Sequence, residues 1–144
     1  MATSAALAQK RDLKSIRTIL RDSKLSTNLT RCRYVVKAVR DHRIIGAIGV
    51  EFWGDFVSLR ALVVDREFRR QGVGRLLVIR ALQLAKARGA SGIYAYTLFW
   101  NQRFFYSCGF SRIDKSSAPA EIAASAKYHY PHYRYCCLMK YGGG

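Results

Sequence analysis

The heptapeptide Arg69-Arg70-Gln71-Gly72-Val73-Gly74-Arg75 sets three arginines around two glycines, a composition suited to holding an anion. It follows the β-branched apolar run Leu62-Val63-Val64 and precedes an apolar-periodic segment, so the pattern predicts a strand, a tight loop and the start of a helix. The first turn of a helix leaves backbone N–H groups without intrahelical acceptors, and the helix dipole stands behind them, so such a junction attracts phosphate. A Gly-x-Gly turn can also be only a short connection. The strand before it and the long helix after it weigh toward a binding loop. It is neither the three-glycine G-x-G-x-x-G dinucleotide fingerprint nor a Walker loop, which ends in Gly-Lys-Ser/Thr.

Arg69 to Gly74 resembles the Arg/Gln-x-x-Gly-x-Gly/Ala signature of the GNAT family of N-acetyltransferases. A second stretch, Phe104-Phe105-Tyr106-Ser107-Cys108-Gly109-Phe110, is similar to that family's short aromatic helix ending in Gly-Phe. The two landmarks cover about residues 44–113. Ala118-Pro119-Ala120-Glu121-Ile122 and the ending Leu138-Met139-Lys140 look like the amino-acid branch of the family, which includes the acetyltransferase domain of N-acetylglutamate synthases and the small acetyltransferases associated with arsenic resistance. The resemblance implies an α+β GNAT fold, with a mixed, mostly antiparallel central sheet of six to seven strands flanked by about four helices. It also implies an acyltransferase that takes acetyl-CoA as co-substrate, without a metal, and acts on a small amine or amino acid by direct attack in a ternary complex. Members of the family often pair as homodimers.

On that resemblance the backbone of Leu62, Val63 and Val64 pairs with the pantetheine arm. The amides from Arg70 to Arg75, with Arg69, Arg70, Gln71, Gly72, Val73, Gly74 and Arg75 forming the loop, hold the pyrophosphate. The N–H near Val64 is the expected oxyanion donor. An ammonium must lose its proton before it attacks, which calls for a carboxylate acting directly or through water. Glu51, an acid in an otherwise apolar strand, is the expected base. The alternative readings are that it points outward and is solvated, or that it pairs with an arginine. Many relatives carry a tyrosine as general acid four residues before the glycine of Gly-Phe. Here that position is Phe105, and Tyr106 next to it is turned by about 100° on a helix. Either Tyr106 protonates the leaving thiolate from an altered helix, or water does. Asn101 reads as a helix N-cap. Arg134 is a candidate to grip a substrate carboxylate, within the aromatic segment Tyr128 to Tyr135 that could also simply cover the sheet.

The elements that must position these groups follow from the pattern. A first helix is predicted over 12–23, with Leu13, Ile16 and Leu20 on one face and Asp12 in the first turn. The preceding Met1 to Lys10 is alanine-rich and free of acids, superficially like a transit peptide, and the structural helix is the preferred reading. Strands are predicted over 33–39, 44–53 and 56–64, with Gly54-Asp55 as a type II′ hairpin turn. Gly46 and Gly49 mark a bulge, a close backbone approach, or packing against a helix. A helix over about 74–88 with Val73, Leu77, Ala81 and Leu84 on its apolar stripe leads to a parallel strand over 93–97. A short helix over 101–107, a strand over 110–113, a helix over 119–127 and a strand over 134–141 complete the reading.

The 144 residues predict a single domain over 1–141 with a flexible glycine tail over 142–144. No apolar run reaches membrane-spanning length, so a soluble protein is expected. Cysteines 32, 108, 136 and 137 form no CxxC pair and no histidine lies at metal spacing, which predicts buried thiols in a reducing, cytoplasmic compartment. With 25 Lys and Arg against nine Asp and Glu the net charge is +16, more than a coenzyme with three phosphate groups explains. A polyanion or nucleic-acid partner, with an RNA-linked, peptide or protein amine as acceptor or with no catalysis at all, is therefore the alternative expectation.

Overall fold

The computed structural model describes residues 2–129 and 135–142. In chain order the elements are β1 (Ser4–Leu7), α1 (Leu13–Asp22), β2 (Tyr34–Arg40), β3 (Arg43–Trp53), β4 (Phe56–Val64), α2 (Val73–Ala87), β5 (Gly92–Leu98), α3 (Gln102–Ser107), β6 (Phe110–Ile113), α4 (Ala120–His129) and β7 (Cys136–Tyr141). Among the described residues the strands take the order β1-β2-β3-β4-β5-β7-β6 in one seven-stranded sheet. The β4–β5 pairing is parallel, whereas β1–β2, β2–β3, β5–β7 and β6–β7 are antiparallel. This is the mixed, mostly antiparallel α+β architecture that the two sequence landmarks imply. Two compact units can be told apart, Met1–Glu51 with Arg60–Leu84 and Phe52–Leu59 with Ala85–Gly144.

In the first unit, Ile16, Ile19 and Leu20 of α1 pack with Leu29, Ala47 and Val63, as the apolar stripe of the helix requires. The β2–β3 turn is a two-residue loop with Asp41 and His42 both at positive φ, the geometry of a type I′ turn. Between Ala38 and Val39 the β2–β3 register slips by one, leaving Ile45 as the extra residue of a bulge. Gly46 is needed for close packing of two kinds at once. A Cβ there would lie 2.7 Å from the Val63 carbonyl oxygen and 3.2 Å from Leu77 Cδ1 of α2. Val73, Leu77 and Ala81 of α2 are buried as expected, with Val78 and Leu82 widening the stripe.

In the second unit, Gly54 has φ +64 at the head of its hairpin turn, and Asp55 accepts from Ser91 N–H at 2.8 Å. Tyr94, Tyr96, Ile122, Ala126 and Leu138 form a core between β5, β7 and α4. Phe105 and Phe110 meet edge-on at 5.3 Å, and Phe110 meets Tyr141 at 5.5 Å.

Three elements differ from the sequence reading by more than one residue. Ser4–Leu7, inside the alanine-rich start, is an edge strand that finds its partners in Val36–Val39. Alanine favours helix intrinsically, and a ladder with a neighbouring strand overrides that preference. The helix after Pro119 begins at Ala120 and runs to His129, and the last strand begins at Cys136. Gly142 donates its N–H to the Gly109 carbonyl at 3.1 Å. Gly143 and Gly144 lie outside the described residues.

Candidate active site

The loop after β4 is anchored before it turns. Asp65 N–H donates to the Ile45 carbonyl at 2.7 Å, and the Asp65 carboxylate accepts from Glu67 N–H at 3.0 Å and from Arg43 at 2.9 Å. Arg69 Nε donates back to the Val64 carbonyl at 3.0 Å and Arg69 Nη2 to Ser23 Oγ at 3.0 Å, so this arginine braces the loop to the end of α1. Gln71 accepts from Arg40 at 2.9 Å. Arg70 and Gly72 both take positive φ, +63 and +82, which reverses the chain just ahead of α2. Leu76 N–H closes the first helical bond to the Gly72 carbonyl at 3.1 Å. Helix geometry leaves the N–H groups ahead of it without acceptors inside the helix.

This cradle fits a diphosphate. Arg70 and Arg75 are exposed beside it, and a Cβ built on Gly72 meets nothing within 4 Å, so there is open space next to the loop backbone. Upstream, Ala61 takes φ +57, a left-handed conformation uncommon for a non-glycine residue that kinks β4 just before Leu62. The parallel ladder to β5 uses Phe56–Ser58, and the backbone groups of Leu62, Val63 and Val64 are not among those it employs.

Glu51 is fully buried near the end of β3, and its Oε2 lies 3.4 Å from Arg60 Nη1 of β4. Of the readings open for this acid, the solvated one does not hold, and the arginine-paired one describes its surroundings. Cys32 Sγ lies 3.9 Å from the same Oε2. Burial, and next the Glu51 charge, push the Cys32 thiol up to about 11. Arg60 Nη1 also donates to the Asn28 carbonyl at 2.6 Å, while its buried Nε meets no partner among the described residues. Sequence reasoning passed over Arg60, although a cation in the apolar run Val57 to Val64 carries the same signal that singled out Glu51. Cys32 had no such signal, because a lone thiol in a polar loop looks ordinary.

In the other unit α3 is a regular helix that points Phe105 inward, 7% exposed, and leaves Tyr106 49% exposed. The one-residue rotation along the helix therefore separates the two as anticipated. Asn101 stands at the N-cap of α3 but makes no side-chain capping bond. Of the aromatic segment, Tyr128 and His129 pack against Trp53 at 6.0 and 6.3 Å between ring centres. Arg134 lies outside the described residues. Among the described residues no group of three His, Cys, Asp or Glu side chains could hold a metal ion, and no helix is long and apolar enough to cross a membrane.

An open cleft of about 860 Å³ lies between α1 and the β2–β3 hairpin, lined among others by Asp12, Asp22, Lys37, Arg43 and Asp65. Two of its acids are already engaged, Asp12 with Lys37 and Asp65 with Arg43, each at 2.9 Å.

A strand, a glycine loop with two left-handed residues and a helix N-terminus with flanking arginines, set in this sheet order, define an acetyltransferase-type fold. The acetyltransferase (GNAT) family model matches residues 7–110, and the chain belongs to that family. It is 33% identical over 81 residues to an uncharacterized N-acetyltransferase of Chlorobaculum tepidum, a match covering 56% of this chain and 51% of the relative, so the chain spans about half the length of that protein. Among solved structures, an acetyltransferase of the GNAT family from Staphylococcus aureus Mu50 superposes with TM-score 0.74 at 16% identity, covering 96% of this chain and 98% of the other. N-acetylglutamate synthase from Neisseria gonorrhoeae, solved with coenzyme A and N-acetyl-glutamate, superposes with TM-score 0.78 at 15% identity, covering 97% of this chain and 35% of the synthase.

Proposed function

We propose that the protein is an acetyl-CoA-dependent N-acetyltransferase that acylates the primary amine of an amino acid or a small analogue by direct attack in a ternary complex. The observation that carries the reading is the loop from Arg69 to Arg75, with its left-handed Arg70 and Gly72, the open space beside Gly72, and the α2 N-terminus behind it. In this reading the amides from Arg70 to Arg75 hold the pyrophosphate, and Arg70 and Arg75 add charge. The backbone of Leu62, Val63 and Val64 pairs with the pantetheine arm. The Val64 N–H donates to the thioester oxygen as negative charge develops there.

Glu51 takes the ammonium proton, directly or through a water, and so frees the nitrogen lone pair. The amine nitrogen then bonds to the acyl carbon as the carbon–sulfur bond breaks, and its surplus proton passes to solvent. Tyr106 lies on the outward side of α3, so the departing thiolate is protonated by solvent in this account. The reading is supported by the family, by an N-acetyltransferase relative, and by the amino-acid-branch landmarks of the sequence. Free-thiol release from acetyl-CoA tests it. Free amino acids should release thiol well above the rate of hydrolysis, and a panel in which all of them fail while peptides or polyamines succeed overturns the amino-acid reading.

A protein- or RNA-linked amine is the second reading, favoured by the charge of +16 and its placement. Lys10, Lys14, Arg17, Arg21 and Lys24 recur at intervals of four and three along α1 and its flanks, the spacing of one helix face, and all except Arg17 are exposed. Strong heparin retention that collapses with modest salt, together with turnover only of macromolecular acceptors, would support it.

A further inference from the structure

Arg60 is buried at 5% side-chain exposure, yet its hydrogen bonding is lopsided. Nη1 serves both the Asn28 carbonyl and Glu51 Oε2, while buried Nε has no partner among the described residues. A guanidinium used only to clamp the loop over 23–33 onto the sheet would have no reason to leave that edge unused, because an unpaired buried donor costs free energy. The Nε edge of a guanidinium is also one of the sides on which a carboxylate can be held by two parallel hydrogen bonds. The Glu51 carboxylate lies 3.4 Å from Nη1 of the same guanidinium. A cation and an anion side by side complement the carboxylate and ammonium of an α-amino acid. What covers the pair is Ser23 to Arg33, a segment without helix or strand that contributes Asn28 and Cys32.

We propose that Arg60 is the specificity-determining residue for the acceptor, binding the carboxylate of an α-amino acid through its Nε edge while Glu51 faces the ammonium group. This rests on the amino-acid reading above. It adds a residue to that reading and a reason for its selectivity. The loop over 23–33 must part to admit the acceptor, exchanging part of its clamp for the substrate's own charges.

The test compares each accepted amino acid with the amine that lacks its carboxylate. Wild-type kcat/KM should be on the order of 10- to 100-fold higher for the amino acid, the value of one charged hydrogen-bond pair. In Arg60→Lys that ratio should fall toward one, because lysine retains the charge without the planar fork. Should Arg60→Lys fail to fold, the wild-type protein still reports. In 15N-labelled protein the Arg60 Nε–H resonance should shift on adding the amino acid and stay in place on adding the amine. Equal wild-type turnover of both compounds, an unchanged ratio in Arg60→Lys, or an Nε–H resonance indifferent to the amino acid would each overturn the inference while leaving the acceptor class standing. Amino acids that are not substrates at all would instead remove the reading on which it rests.

Discussion

Glu51 and Arg60 are buried mutual counter-ions, so stability depends on that contact and, in the proposed mechanism, turnover does as well. Glu51→Gln should lower kcat/KM at neutral pH by about 100-fold or more, the scale of a general base, and activity should recover as pH rises toward the pKa of the free amine. Full turnover at neutral pH in that variant would take Glu51 out of the mechanism. The same substitution leaves the Arg60 charge uncompensated, so a fall of about 3–5 kcal/mol in unfolding free energy is expected by denaturant titration. Cys32, with its thiol pushed up to about 11, should resist iodoacetamide at pH 7.5 in the folded protein and become alkylated once denatured. Asp12 supplies a pH dependence of another kind. Gln9 N–H at 2.7 Å and then Lys37 Nζ at 2.9 Å hold its carboxyl below the usual value. A depressed carboxylate contributes stability that is fully present above its unfolded pKa, near 4, and is lost as pH falls through the folded value. Asp12→Asn should therefore narrow the stability difference between pH 6 and pH 3, measured as the shift in urea midpoint.

At the scale of elements, the strand–loop–helix unit from Leu62 to Leu77 separates two uses of glycine. Gly72 needs its left-handed φ and has empty space around it, whereas Gly46 has an ordinary backbone and no space. Gly72→Ala should cost about 1–2 kcal/mol through strain. Gly46→Ala forces a Cβ against the Val63 carbonyl and should cost about 1–3 kcal/mol through overpacking. Only the first also reshapes the loop, so calorimetry should show weakened coenzyme A binding for Gly72→Ala beyond anything Gly46→Ala does. The loop was readable from sequence because a basic Gly-x-Gly between a β-branched run and an apolar stripe is a local signal. The apolar face of α1, the stripe of α2 and the Gly54-Asp55 turn were readable for the same reason. Ser4–Leu7 was not, because an edge strand without alternation is defined by its partner Val36–Val39. The left-handed Ala61 carries no residue-type signal either, alanine being a poor indicator of positive φ. Arg60 was a visible charge, but its lone Nε depends on where the loop over 23–33 folds back.

For the whole molecule, a net charge of +16 means that any polyphosphate ligand arrives in a favourable field. Coenzyme A affinity should consequently weaken as salt is raised from 50 to 500 mM, with the association rate carrying most of the change. The packing of the two units differs little in kind, an apolar helix face on a sheet in each, and it is the first that carries the arginine loop, the Glu51–Arg60 pair and the cationic face of α1. Binding and selectivity in this account are therefore concentrated in one stretch of strands and loops. Its central claim is that the loop from Arg69 to Arg75 holds the pyrophosphate of acetyl-CoA. Isothermal titration of the intact protein with coenzyme A and, separately, with pantetheine, which lacks the pyrophosphate, reaches that claim most directly. The account predicts one site for coenzyme A and binding of pantetheine weaker by about 100-fold or more, the loss of at least two charged hydrogen bonds. Equal affinity for the two ligands, or no binding of coenzyme A, would contradict it.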